Sequence, residues 1–454
     1  MKNKLLTLLI GVSIISALIA VPLMTACAPA APGEPAAPGE PAAPGEPAAP
    51  GAPKTVNLGF LAAQSGPAMM WGKPGLTGLA IWIDEVNAAG GLEVGGEKYL
   101  INLVKYDSEY VPSIALMGAK KLIMEDNVVA LLMSGGTDLP PIQPIVNEYR
   151  IPQFCHCTKD TGPEMPYAFG ITENYPVGMG AITQAVIDGD PAIQRVAHCT
   201  QDEYEGWVGA PWIMAAFEGA GMDVVYNEFF SLETTDFAPV ATAVLATDPD
   251  FISLGSIWPE FRSLLIEQLY LQGYDGYLNM GEIELTDILA KVPVEWIHNS
   301  RALTLFPYLN DPLLPDESLE FYNKWMARFG PGAPEDINRE FYSIDYEFMV
   351  EATTWAWAAQ RAGSFDGDAV VAALETAQRT GEAIPTIRGP GYFWDCEDYY
   401  GINHAMYLTQ YIVEVDENGK CVATGTVDLP SWAAERKDLL IKYMTEYNMM
   451  WWQR

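Results

Sequence analysis

VNLGFLAAQSGPAMMWGKPGLTGLAIWIDEVNAAGGLEVGGEKYLINLVKYDSE, residues 56–109, decides the fold class. Val56 to Ala62 is a short apolar run that stops at Gln64-Ser65-Gly66-Pro67, so it reads as a strand entering a turn. Leu76, Leu79, Ala80, Ile83 and Val86 then recur at helical spacing, and Asn87-Ala88-Ala89-Gly90-Gly91 ends that helix. Tyr99 to Tyr106 is a second strand. Strand, helix and strand in series require a crossover, and crossovers build parallel sheets.

The alternation continues. Ser113 to Glu125 reads as a helix, and Val128 to Met133 as a buried strand ending at Ser134-Gly135-Gly136-Thr137. A further helix follows, then a strand over Ile151 to Cys155. The pattern restarts after Asn174. Helices are expected at Gly178–Ile187, Trp207–Glu218, Phe237–Leu245 and Glu260–Gln272, with strands at Arg195–Cys199, Val224–Phe229 and Phe251–Leu254 between them. Later helices fall at Ser318–Phe329, Asp345–Ala362 and Asp368–Ala377, and a C-terminal one starts at Ser431. Two α/β lobes with a late return of the chain imply a cleft. In open α/β sheets, ligands bind beyond the carboxyl ends of the strands.

The N-terminus is of another kind. Lys2 and Lys4 precede an apolar run from Leu5 to Leu23, which ends at Met24-Thr25-Ala26-Cys27, so residues 1–27 read as an export signal. Residues 28–53 repeat Gly-Glu-Pro-Ala-Ala-Pro, with Glu34, Glu40 and Glu46 in register. Without large apolar side chains this stretch builds no core; as polyproline II it reaches about 80 Å, at ~3.1 Å per residue. No later stretch is apolar for long enough to span a bilayer.

A formal net charge of −34 excludes nucleic-acid binding, because phosphates are repelled. Catalytic signatures are missing as well: there is no G-x-S-x-G, HExxH, P-loop or post-strand GxGxxG, and His156, His198, His298 and His404 are scattered. The expectation is a protein that is not an enzyme and uses no cofactor. Six cysteines in an exported chain invite disulfides. Cys396 and Cys421 flank the strand-like run Ala405 to Val415 and form the expected pair.

Read in order, the segments resemble the leucine/isoleucine/valine-type (branched-chain amino acid family) substrate-binding proteins of ABC transporters. The resemblance is carried by NLGFLAAQSGPAMMWG, GLTGLAIWIDEVNAAGG, AKKLIMEDNVVALLMSGG, NEYRIPQF, GSIWPEFRSLLIEQLYLQGYDG and TIRGPGYFWD. It runs from about Val56 to about Glu417 and implies a type I periplasmic-binding-protein fold. That fold has two doubly wound, Rossmann-like lobes joined by a three-strand hinge. The expected boundaries are 55–173 plus 300–404 for lobe 1, and 174–299 plus 405–454 for lobe 2. The Met24-Thr25-Ala26-Cys27 ending is similar to a bacterial lipobox, with Met24 where the pattern prefers Leu. It implies lipidation at Cys27 and a tethered monomer at the outer face of the membrane, beside its permease.

The resemblance also implies a pocket. A free amino acid brings a carboxylate and an ammonium, whose burial costs several kcal/mol each unless they are paired. The Ser134-Gly135-Gly136-Thr137 loop stands where the family binds the carboxylate, through the Gly136 N–H, the Thr137 hydroxyl and Ser134. The same residues also suit a plain strand-to-helix turn with Thr137 as its cap. Cys157 and Thr158 fall at the second carboxylate-side segment, contacting ligand mostly through backbone. Tyr204 carries over from the family's Tyr-Gly-x-Gly, although Glu205 replaces the glycine. Glu282, with Glu284 second, stands where an acid pairs with the ammonium, and Trp71 where a ring covers the ligand side chain. The implied solute is a branched-chain or aromatic amino acid, with an aromatic carboxylate or an amide as alternatives.

FCHCTKD, residues 154–160, admits a rival reading as a tethered metal or redox site built on Cys155, His156 and Cys157. An extended C-x-C points both sulfurs one way and the histidine the other, which makes a poor chelate. Metal ligands are therefore not expected.

Overall fold

A computed structural model describes residues 54–66, 68–157, 161–173, 177–281, 285–298 and 309–453. The export signal, the linker, Cys27, Thr158, Glu282 and Glu284 lie outside the described residues. Among the described residues, no helix is long and apolar enough to cross a membrane.

Strand β1 (Lys54–Ala62) runs through the middle of the first sheet and is buried almost continuously from Leu58 onward. Such a run marks a parallel strand covered on both faces. It leads through a 3-10 turn at Met69–Trp71 to helix α1 (Gly75–Ala88). Next come β2 (Leu92–Val94), β3 (Glu97–Asp107), α2 (Pro112–Lys120), β4 (Leu131–Met133), α3 (Gln143–Tyr149), β5 (Gln153–Cys157) and β6 (Ala168–Glu173). The sheet order is β2-β3-β1-β4-β5-β6, parallel except for the β2–β3 hairpin. That hairpin turns at Gly95 and Gly96, both at positive φ (61° and 80°), a turn that glycine tolerates.

The second sheet is built from α4 (Gly178–Gly189), β7 (Arg195–Gln201), α5 (Tyr204–Gly219), β8 (Asp223–Phe230), α6 (Ala238–Leu245), β9 (Phe251–Ser253), α7 (Pro259–Leu271) and β10 (Tyr277–Asn279). Its order is β10-β9-β7-β8, all parallel. In each sheet the winding reverses once, between β1 and β4 and between β7 and β9. These two points are where an open α/β sheet leaves a crevice.

The late return of the chain completes both halves. Helix Ile344–Ala362 packs on α1 and on the first sheet. The approach is so close that a Cβ on Gly78 would lie 1.9 Å from the Asp345 carbonyl oxygen. Asp345 is buried and accepts from Arg339 (2.6 and 2.7 Å), Thr77 Oγ1 (2.6 Å) and Tyr342 N–H (2.7 Å), which fixes the start of that helix. Beside β6, Gly170 N–H donates to His404 O (2.9 Å) and the His404 ring stacks on Phe169. The chain then forms a hairpin, Gln410–Val415 with Cys421–Val427, and helices Leu429–Glu435 and Lys437–Glu446 close over α4 and α5.

Several boundaries differ from expectation. The helix read over Ser113–Glu125 is α-helical only to Lys120 and finishes in a π turn, Lys121–Glu125. The strand read over Val128–Met133 shrinks to Leu131–Met133, and β2 was not foreseen. The expected Cys396–Cys421 disulfide is corrected: both are free thiols. Cys396 Sγ donates to Ile402 O at 3.5 Å in an aromatic cluster with Trp394 and Tyr399. Cys421 pairs with Val415, at the far end of a six-residue strand. Cys396 packs in one apolar cluster and Cys421 against another, so each thiol has its own surroundings.

Candidate ligand-binding site

The first reversal brings two segments together. Ser134, directly after β4, donates its hydroxyl to the Trp71 carbonyl (2.8 Å), so the loop after β1 and the loop after β4 are joined. Gly135 and Gly136 follow at φ 89° and 60°, a left-handed pair that only glycine adopts without strain. Gly136 is roofed by a phenol: a Cβ there would lie 2.0 Å from Tyr110 Oη. Thr137 Oγ1 sits 3.4 Å from the Tyr110 carbonyl oxygen, a long hydrogen bond. The loop does not run straight into an α-helix. It passes through 3-10 turns at Gly136–Asp138 and Pro140–Ile142, because Pro140 and Pro141 lack the N–H a longer helix needs, and α3 has seven residues. Any anion held here relies on local N–H groups rather than on a helix dipole.

Beneath the loop lies Asp138, fully buried. Ser108 Oγ donates to its Oδ2 (2.5 Å), while Oδ1 has no hydrogen-bond partner. Burial, opposed by the Ser108 bond and reinforced by the Asp107 charge, pushes this carboxyl up to about 6. Sequence reasoning missed both Asp138 and Tyr110. Asp138 directly follows the glycine loop but is one acid among many in so acidic a chain, and the left-handed Tyr110 (φ 58°) has no sequence signature.

Strand β5 carries the Cys155-His156-Cys157 stretch. Its pairing with β6 is irregular between Cys155 and Cys157, and the Cys157 backbone pairs opposite Glu173. Cys155 is buried on one face, where its Sγ donates to Phe169 O (3.4 Å). His156 points to the other face and meets Phe348 edge-on, with Nδ1 2.7 Å from Glu351 Oε1 and 3.7 Å from Glu347 Oε2. Glu351 is pushed well up by burial and then by the Glu347 charge. Cys155 and His156 therefore serve opposite sides of the sheet. Among the described residues, no cluster of three or more His, Cys, Asp or Glu is arranged to hold a metal.

The second reversal supplies the facing wall. Tyr204 is the first residue of α5, not part of a loop, because the Glu203 carboxylate caps the helix by accepting the Gly206 N–H (3.1 Å). Trp207 Nε1 donates to Asp202 Oδ1 (2.9 Å), tying the first turn down. After β9, the half-buried Trp258 stacks on Phe261 (5.9 Å, 4°). After β10, Gly281 turns at φ 67°, and the buried Arg262 donates to the Met280 carbonyl (2.6 Å) just before it. Helix α5 and the Gly136–Asp138 turn touch, so the two walls meet. Of the sequence candidates, the structure thus brings Trp71, Ser134, Gly136 and Thr137 together on one side and sets Tyr204 on the other.

The family model described as "Periplasmic binding protein" matches residues 55–420. Among solved structures, a substrate-binding protein of an ABC transporter from Aeropyrum pernix superposes with a TM-score of 0.70 at 18% identity, covering 86% of this chain and 99% of that one. A branched-chain amino acid transporter substrate-binding protein of Streptococcus pneumoniae, in complex with isoleucine, gives 0.65 at 18% identity, covering 82% and 99%. A solute-binding protein of an ABC transporter from R. palustris, in complex with 4-hydroxybenzoate, gives 0.64 at 18%, covering 84% and 99%. At these identities the likeness concerns the fold.

Proposed function

The chain belongs to the periplasmic binding protein family, and from that membership we propose that it captures an amino acid, branched-chain or aromatic, for an ABC importer. The solute is enclosed between the lobes and handed to the permease unchanged. The observation that carries this reading is the pairing of the two strand-order reversals, with Trp71, Ser134, Gly136 and Thr137 beside one and Tyr204 beside the other. In this proposal the Gly136 N–H and the Thr137 hydroxyl hold the carboxylate, with Ser134, Cys157 and Thr158 shaping that end. Tyr204 closes from lobe 2, Glu282 pairs with the ammonium, and Trp71 covers the apolar side chain. Fully burying such a side chain contributes ~1.5–3 kcal/mol.

An aromatic carboxylate is the second reading. It is favoured by the rings of Trp71, Tyr204 and Trp258 at the cleft and by the 4-hydroxybenzoate held by one structural neighbour. That ligand has no ammonium, so Glu282→Gln separates the readings: it weakens an amino acid severely and an aromatic acid little. The remaining parts of the proposal are a lipid on Cys27, residues 28–53 as a tether, a monomeric receptor outside the cytoplasm, and lobes bounded at 55–173 plus 300–404 and 174–299 plus 405–454. Cys27→Ser should release the protein from the membrane fraction.

Native mass spectrometry of the purified protein, followed by calorimetry with amino acids, amides and aromatic acids, tests the function. A co-purified or titrated solute at one per chain is expected. No binding across the whole panel would sink the solute-capture reading.

A further inference from the structure

One buried side chain joins the two loops of the second wall. Gln201 ends β7 and is fully buried. Its Nε2 donates to Glu203 Oε1 (2.6 Å) and to the Ser256 carbonyl (2.8 Å), and its Oε1 accepts the Trp258 N–H (3.1 Å). These partners fix which way the amide points. A carboxylate and a carbonyl can only accept and a peptide N–H can only donate, so a flipped amide would oppose all three.

The three bonds have a geometric consequence. Two of them fall on either side of Ile257, so the Ser256–Trp258 backbone after β9 is clasped rather than merely touched. The third runs to Glu203, whose carboxylate caps α5 one residue before Tyr204. The amide therefore spans the strand-order reversal between β7 and β9 and links the start of α5, through Glu203, to the Ser256–Trp258 loop. Trp258 cannot retreat from the position it is given, because Phe261 behind it is boxed by Phe230 and Phe237, each 5.7 Å from it.

We propose that Gln201 is a positioning residue that fixes the separation of Tyr204 and the Ser256–Trp258 segment and thereby selects solutes by side-chain size. This rests on the solute-capture reading given above. Gln201 itself needs no contact with the solute. Its effect is transmitted by where it holds Trp258. Releasing the clasp loosens the wall and blunts discrimination between a small and a large apolar side chain.

The test uses the full chain, with L-valine, L-phenylalanine and 4-hydroxybenzoate as calorimetric probes. Gln201→Ala and Gln201→Met, the latter filling the space without the bonds, should each change the valine-to-phenylalanine affinity ratio by about ten-fold, the scale on which a pocket discriminates one or two methylenes. In a Trp258→Ala background the same substitutions should leave the ratio unchanged, since the two positions act as a unit. A ratio unmoved by Gln201→Met, in a variant that still melts cooperatively, overturns the proposal. So does a uniform loss across all probes, which is the mark of a merely structural role. A second readout is independent of any solute: in 5-fluorotryptophan-labelled protein, the Trp258 fluorine resonance, identified with Trp258→Phe, should shift in Gln201→Met. If the wild type binds none of the probes, the solute class fails, and this resonance alone decides the clasp: a shift supports it and an unmoved line refutes it.

Discussion

Asp138→Asn should make this protein more stable at neutral pH. The carboxyl is fully buried, receives one hydrogen bond from Ser108, and has a second oxygen without a partner. Its pKa rises from 3.8 unfolded to about 6 folded. The difference, 6 − 3.8, is about 2 units, and at ~1.4 kcal/mol per unit the ionised native state is penalised by about 3 kcal/mol. The sign follows from the direction. A group whose folded pKa lies above its unfolded value contributes stability in full below about 3.8 and loses it as pH rises through about 6. Asparagine removes the charge but keeps an acceptor for Ser108. Allowing ~1 kcal/mol for the weaker neutral hydrogen bond, the net gain at about pH 8 is about 2 kcal/mol. Urea denaturation of both proteins across about pH 4.5 to 8 measures it, and the difference between them cancels every group they share. A difference that stays flat with pH, or a variant less stable than the wild type at about pH 8, would refute the reasoning.

Gly136→Ala should weaken solute binding at least ten-fold in calorimetry, because the left-handed backbone costs ~1 kcal/mol and the new methyl meets Tyr110 Oη at 2.0 Å. Tyr110→Ala in the same chain should restore part of that loss; no restoration would mean the phenol is not the obstacle. Gly78→Ala forces α1 away from the Asp345 carbonyl and should cost ~2–4 kcal/mol in urea denaturation, with a loss under 0.5 kcal/mol counting against the packing described. Iodoacetamide on the native protein should leave Cys155, Cys199 and Cys396 unmodified in peptide mapping, since all three are buried and burial pushes Cys199 up to about 12. Peptide mapping should likewise find no bridge between Cys396 and Cys421.

The fold was legible because its signals are local. The burial of Val56 to Ala62, the periodicity of Leu76 to Val86 and the Gly90-Gly91 stop all describe short stretches whose partners follow from crossover rules. What escaped was long-range or stereochemical. Nothing near Tyr110 announces a left-handed tyrosine lying over Gly136, and nothing near Gln201 shows that its amide will meet residues 55 and 57 positions later. Prolines 140, 141 and 144 did announce a broken helix after the glycine loop, but their effect was not drawn from the sequence. His156 was the hardest. Its partners Glu347 and Glu351 are nearly 200 residues away on a helix that seals the first sheet, and no spacing rule connects them.

That sealing helix governs the order in which the chain acquires its structure as it is made. Strands β1 to β6 are complete by residue 173, yet the face holding Phe60 and His156 is covered only when Ile344–Ala362 has been synthesised. Until then the first sheet keeps an open apolar side, and the many contacts between distant residues must wait. A late-arriving helix therefore delays completion of the first sheet's packing until more than three-quarters of the polypeptide exists.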